Sequence, residues 1–140
     1  MRYLLDSNVF VFLSTDVELV SSEVITALNE PDSLLYMSSA SVMELVIGYN
    51  YHSFDTRRWK SAEEMVESIG KEFFIDILPF REEHLLTFAR LRANIAKGHK
   101  DPFDHMIISH AITERMTLVS SDLRFPFYKR QGLDLLFNKK

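Results

Sequence analysis

Five short apolar runs, each closed by a turn or polar residue, alternate along this chain with stretches of helical periodicity, and that alternation restricts the fold more than any other feature. The runs are Tyr3-Leu4-Leu5, Leu34-Leu35-Tyr36-Met37, Ile75-Asp76-Ile77-Leu78, Thr117-Leu118-Val119 and Leu133 to Phe137. They are too short for helices and read as strands, most of them buried. Between them, Val17 to Leu28 carries apolar residues at Val20, Val24, Ile25 and Leu28, and Ser39 to Tyr51 at Val42, Leu45 and Val46. Arg81 to Ala96 places Leu85, Phe88, Leu91 and Ile95 on one stripe, and Pro102 to Arg115 does so with Phe103, Ile107 and Ala111. Such three- and four-residue steps line one side of a helix. The charged stretch Thr56 to Lys71 reads as an exposed helix. Strands and helices in alternation predict an α/β fold of three layers, α/β/α, around a mainly parallel sheet of roughly five strands. In such sheets ligands bind outside the carboxyl ends of the strands.

The composition narrows the class of protein. A chain of 140 residues is expected to form one domain over residues 1–140 and can bury a core without covalent staples. Cysteine is absent, which excludes disulfides and thiolate metal centres. The five His residues show no zinc spacing. A formal charge of −4 argues against a generally basic nucleic-acid coat, so binding of RNA or DNA would rest on local basic residues and a metal. The apolar stretch after Met1 is broken at Asp6, too short for a signal-peptide core or a membrane span. A soluble, unprocessed, cytoplasmic protein with no membrane partner is the expectation.

Four carboxylates stand where this architecture can gather them. Asp6 closes the first strand and Asp122 follows the fourth through Ser120-Ser121. Glu44 lies about a turn into a helix, between Val42 and Leu45, and Asp104 sits at the third position of the helix opened by Asp101-Pro102. Each has an ordinary explanation when taken singly. An Asx turn accounts for Asp6 or Asp122, a solvent-facing position for Glu44, and the helix dipole for Asp104. An N-cap followed by Pro at the first helical position accounts fully for Asp101. Jointly the four placements point to a site, and the sequence sets no Lys or Arg beside any of them in an obviously neutralising way. Gathered carboxylates repel, and a divalent cation is the counter-charge that lets a fold tolerate them. One or two Mg2+ or Mn2+ ions, and phosphodiester chemistry, are therefore expected.

The segments Leu4-Leu5-Asp6-Ser7-Asn8, Ser38 to Gly48, His99 to Ile108 and Leu118-Val119-Ser120-Ser121-Asp122 resemble the PIN domain, and most of all the VapC-type toxins of toxin–antitoxin pairs. The resemblance covers nearly the whole chain in order. It departs at His105, where these toxins often carry Arg, at His110, where Gln is common, and at Ser120, which replaces a frequent Thr. What it implies is an endoribonuclease dependent on Mg2+ or Mn2+, usually a homodimer, cutting RNA and held inactive by a cognate antitoxin. Asp6, Glu44 and Asp104 would bind the metal, with Asp122 a further ligand or an orienting group. Ser7 and Ser120 would position a ligand, water or phosphate oxygen. Arg57, Arg58, Lys97, Lys100, Arg124, Lys129 and Arg130 are candidates for guiding the strand.

Other readings meet specific obstacles. A phospho-receiver domain needs a Lys after the late strand and an Asp after the second, and this chain has neither. A haloacid-dehalogenase-type phosphatase needs a second Asp two residues beyond Asp6, where Asn8 stands. An inactive PIN-fold binding module conflicts with the intact acidic set, while an RNA-processing nuclease without an antitoxin remains open.

Overall fold

The computed structural model describes residues 1–92, 98–99 and 101–139. Its strands are β1 (Arg2–Leu5), β2 (Leu34–Ser38), β3 (Asp76–Leu78), β4 (Thr117–Ser120) and β5 (Asp134–Phe137), all parallel in the order β3-β2-β1-β4-β5. β1 is central, pairing Tyr3 with Leu35 on one side and Leu5 with Val119 on the other. The chain winds outward from β1 to β3 and then crosses back to β4. The gap beyond the carboxyl ends of β1 and β4 is therefore the topological switch point, where open parallel sheets bind ligands.

Helices cover both faces, because alternate residues of a strand point to opposite sides. Tyr3, Leu5 and Val119 join the core under α1 (Ser7–Thr15), α2 (Ser22–Leu28), α3 (Ser39–Asn50) and α4 (Ala62–Lys71). Leu4 and Leu118 enter a second core with Ile107, Ile108 and Ala111 of α6 (Pro102–Glu114), Phe125, Tyr128 and Leu133. The three-layer α/β/α reading from sequence therefore holds. α5 (Glu82–Arg90) packs on α6.

The local expectations were altered in four places. Ser7–Thr15 is a helix, where the sequence points to no more than a turn after Asp6. Its Ser-Asn-Val-Phe-Val-Phe-Leu composition shows no amphipathic stripe, yet the Asp6 carboxylate caps it by accepting the Ser7 N–H. Val17 to Leu28 is split by extended Val20 into a 3-10 turn (Val17–Leu19) and α2. Thr56 to Lys71 is not a wholly exposed helix. Only Ala62–Lys71 is helical, Met65, Ser68 and Ile69 are buried, and Trp59 lies in the core, stacked on Phe10 and donating its indole N–H to Ser68 Oγ. α5 ends at Arg90, and its buried residue is His84, whereas Leu85 of the expected stripe is 54% exposed. Ile95 and Ala96 lie outside the described residues, as do Lys97 and Lys100.

His84 shows why α5 docks as it does. Its Nδ1 accepts the Arg81 N–H at 2.7 Å, so Nε2 carries the proton and donates to Glu114 of α6 at 2.7 Å. His110 stacks on that ring at 4.0 Å. The ligand atoms of His84, His110 and Glu114 fall within 4.8 Å of one another, a grouping that sequence spacing hid. A protonated Nε2 cannot coordinate, so this set ties two helices together and is not a metal centre.

Near the carboxyl ends of the strands, buried Asn138 fastens three segments. Its side chain accepts the Ser21 N–H at 2.7 Å and donates to Leu19 O at 2.9 Å and Ser121 Oγ at 2.8 Å. Replacing it with Ala strands two part-buried backbone groups, so Asn138→Ala should cost about 1–3 kcal/mol. A drop in denaturation midpoint with an unchanged m value would register that loss, and an unchanged midpoint would contradict it.

Candidate active site

At the switch point the backbone delivers acids from three elements. β1 ends at Leu5 and pairing continues one residue further, through the Asp6 N–H to Val119 O at 2.9 Å. This places the Asp6 side chain at the carboxyl-end rim of the sheet. Ser120, ending β4, donates its hydroxyl to Asp6 Oδ2 at 2.7 Å and accepts the Asp122 N–H at 3.0 Å. α3 begins directly after β2, capped by Ser38 Oγ, and carries Glu44 over the same rim. There Glu44 accepts the Ser7 hydroxyl at 2.5 Å. α6 opens as the Asp-Pro order predicts: Asp101 caps it by accepting the Phe103 N–H at 2.9 Å, and Asp104 in its first turn is buried.

Asp6, Glu44 and Asp104 converge, with carboxylate oxygens all within 4.8 Å of one another. Asp122 meets Asp104 and His99 in a second grouping. The expectation that no fixed cation attends the acids is corrected here. Arg124 grips Asp122 through its backbone N–H at 2.8 Å, its Nε at 3.1 Å and its terminal nitrogen at 2.9 Å, and stands 3.7 Å from Asp104. Ser7 and Ser120 both direct their hydroxyl protons onto carboxylates, so in this structure they orient the acids. Arg57 is paired with Asp55 in its own loop, while Arg58 ties that loop to α1 and to the end of α4, donating to Ser14 O and Glu72 and set over the Phe73 ring.

His99 is a site residue with no role in the sequence reading. It is fully buried and holds Asp104 Oδ2 through Nε2 at 3.0 Å. No periodicity marks it. Arg124 did leave a signal, because Asp55-Thr56-Arg57 and Asp122-Leu123-Arg124 share one spacing and fold into the same clamp, the Asp accepting the Arg backbone and guanidinium N–H groups.

Burial and mutual repulsion dominate the electrostatics. Burial pushes Asp6 up to about 7, against hydrogen bonds from Ser120 and Ser7, with the charges of Glu44 and Asp122 adding to the rise. Burial followed by the charges of Asp6, Asp101, Asp122 and Glu44 pushes Asp104 up to about 8. Burial also raises Glu44. For Asp122 the hydrogen bonds of Arg124 outweigh burial and hold the carboxyl below its usual range. Three acids that resist ionising together, all hard oxygen donors, with the Asn8 Oδ1 acceptor buried and unpaired on the same rim, match what a Mg2+ or Mn2+ ion requires.

The PIN domain family model matches residues 3–131. Solved structures of similar fold include VapBC2 of Rickettsia felis, bound to a promoter DNA fragment. It has a TM-score of 0.73 and 20% identity, over 99% of this chain and 100% of that one. VapBC-1 of nontypeable Haemophilus influenzae gives 0.67 at 19% identity over 98% of each chain, and FitAcB of Neisseria gonorrhoeae 0.61 at 22% over 97% and 96%. No curated protein sequence matches the chain.

The raised acids set a stability trend. Between the ordinary carboxylate value and about 7 to 8 the folded chain holds protons that the unfolded chain has released, so metal-free stability should fall as pH rises through that window. Asp104→Asn, which stays neutral, should therefore raise the metal-free melting temperature more at pH 8 than at pH 5. Added Mn2+ should shrink that gain by stabilising only the intact site. Melting scans at both pH values, with and without Mn2+, check this, and a lower melting temperature for the variant at pH 8 without metal would contradict it.

Proposed function

This chain belongs to the PIN domain family, and from that premise we propose that it is a metal-dependent endoribonuclease, a single nuclease domain acting as the toxin of a toxin–antitoxin pair. The observation that carries the proposal is the convergence of Asp6, Glu44 and Asp104 at the switch point. These three would hold Mg2+ or Mn2+, one ion or two, with Asp122 completing the acidic rim. When bound, such a cation supplies Lewis acidity that activates water and offsets charge developing on the phosphodiester.

The remaining work falls to residues of this chain. Ser120 and the Ser7 N–H fix the two oxygens of Asp6, the Ser7 hydroxyl fixes Glu44, and His99 fixes Asp104, so the donor set is arranged before any cation arrives. Arg124 is half-exposed beside Asp122 and Asp104, where its guanidinium can meet a phosphate oxygen of the RNA strand. Lys129 and Arg130 follow in the adjacent 3-10 segment and continue the basic approach.

The inhibitory partner has a place to dock. An apolar groove of about 530 Å3, formed by Val11, Phe12, Ile47, Phe54 and Phe103, ends at Ser7 and Glu44. A segment of an antitoxin bearing apolar side chains and one Arg or Lys would fill the groove and satisfy the acids in place of metal. The VapBC and FitAcB relatives are themselves complexes, which favours such a partner for this chain. A homodimer is part of the same reading, with exposed Leu85 and Leu86 on α5 as available apolar surface. Among the described residues no helix is long and apolar enough to cross a membrane, in keeping with a cytoplasmic toxin.

Purified protein should cut RNA in Mn2+ or Mg2+ and stop in EDTA. Asp6→Asn, Glu44→Gln and Asp104→Asn should each slow cleavage about a hundredfold or more, the scale of removing one charge-stabilising group. Undiminished cleavage in EDTA would refute the metal requirement, and a fully active variant would remove that residue from the site. In a bacterial host, expression should arrest growth, and Asp104→Asn should relieve it. Normal growth alongside soluble protein active in vitro would point to an RNA-processing nuclease.

A further inference from the structure

A buried line of hydrogen bonds leads from the candidate site into the second core. Asp104 Oδ2 lies 3.0 Å from His99 Nε2, His99 Nδ1 lies 2.9 Å from the Tyr128 hydroxyl, and His105 Nε2 lies 3.2 Å from that same hydroxyl. His99 and Tyr128 expose no surface, and His105 is 5% exposed. The two imidazoles meet edge to face at 4.6 Å, and Phe125 sits 6.0 Å from the His99 ring, so that ring has little room to turn.

Hydrogen-bond chemistry constrains the line when the site is loaded. A bound cation would hold Asp104 as a carboxylate, which only accepts, so His99 then turns a protonated Nε2 toward it. In a neutral imidazole that leaves Nδ1 as an acceptor, and the Tyr128 hydroxyl faces it as donor at 2.9 Å. His105 Nε2 stands against the same hydroxyl at 3.2 Å. Tyr128 thus selects the His99 tautomer able to hold Asp104, although it does not touch Asp104 itself.

We propose that Tyr128, and behind it His105, are positioning residues for the divalent-cation site, acting through His99 to keep the Asp104 carboxylate in its ligating orientation. The proposal rests on the metal-dependent reading above and adds what that reading lacks: the 3-10 segment Phe125–Gln131, beyond Asp122, governs an acid on α6. Outer partners of metal ligands typically change affinity or activity by about 10- to 100-fold when removed.

The test is a double-mutant cycle on Mn2+ affinity, followed through the electron paramagnetic resonance of free Mn2+, with the His99 tautomer read from its imidazole 15N shifts. Tyr128→Phe should remain folded by circular dichroism, shift His99 from the Nε2–H form toward a mixture, and weaken Mn2+ binding about tenfold. His99→Gln offers Asp104 an amide donor that needs no tautomer, so adding Tyr128→Phe in that background should leave Mn2+ affinity unchanged. Should Tyr128→Phe fail to fold, His105→Phe enters the same cycle. An equal loss in both backgrounds, or a Tyr128→Phe protein with wild-type tautomer and affinity, would overturn the proposal alone. Equal Mn2+ binding by wild type and Asp6→Asn would overturn the cation-site reading and the proposal with it.

Discussion

Repulsion among buried carboxylates is the constraint to which the rest of this structure answers. Asp6, Glu44 and Asp104 are drawn out of water and toward one another, and each is raised for that reason. No single element could impose such an arrangement. It takes the central strand for Asp6, the helix after β2 for Glu44 and the helix before β4 for Asp104, all meeting where the winding of the sheet reverses. Donors then surround the acids. Ser7 and Ser120 each donate a hydrogen bond to one carboxylate, His99 hydrogen-bonds the third acid, and Arg124 sets its charge against Asp122.

Much of this was legible in the sequence, for physical reasons. Buried parallel strands are continuous apolar runs, so all five were found to within a residue or two. The Asp-Pro order at the start of α6 separated a cap from an inward-facing acid, and the structure keeps that division. What stayed hidden belongs to tertiary contact. α1 carries partly exposed Val11, Phe12 and Leu13 beside buried Val9 and Phe10, so its apolar residues form no single stripe and leave no periodicity to read. The charges of Thr56 to Lys71 concealed Trp59 and the buried side of α4.

Histidines show the limit most clearly. Four of the five are buried, and each earns its place through a partner far along the chain: Glu114 for His84, Tyr128 for His99 and His105, Ser38 for His110. Sequence spacing carries none of these pairings, since they span 23 to 72 positions. The Asp-x-Arg clamp is different. Its three atoms of contact are set by local geometry, and its two occurrences in one chain show that this signal was readable from the residues alone.

The central placement of β1 bears on when the acidic cluster can be assembled. Leu5 pairs with Val119 and Ser120 holds Asp6 across 114 positions, so the first acid made is among the last to be fixed. A pairing of that span has a high loop-closure cost and forms late, after most of the chain is available. A chain still emerging from the ribosome has no β4, no Ser120 and no switch point, and its early acids stay apart in solvent. The acidic cluster is thereby held in its final arrangement only once β4 has been made, 114 positions after Asp6.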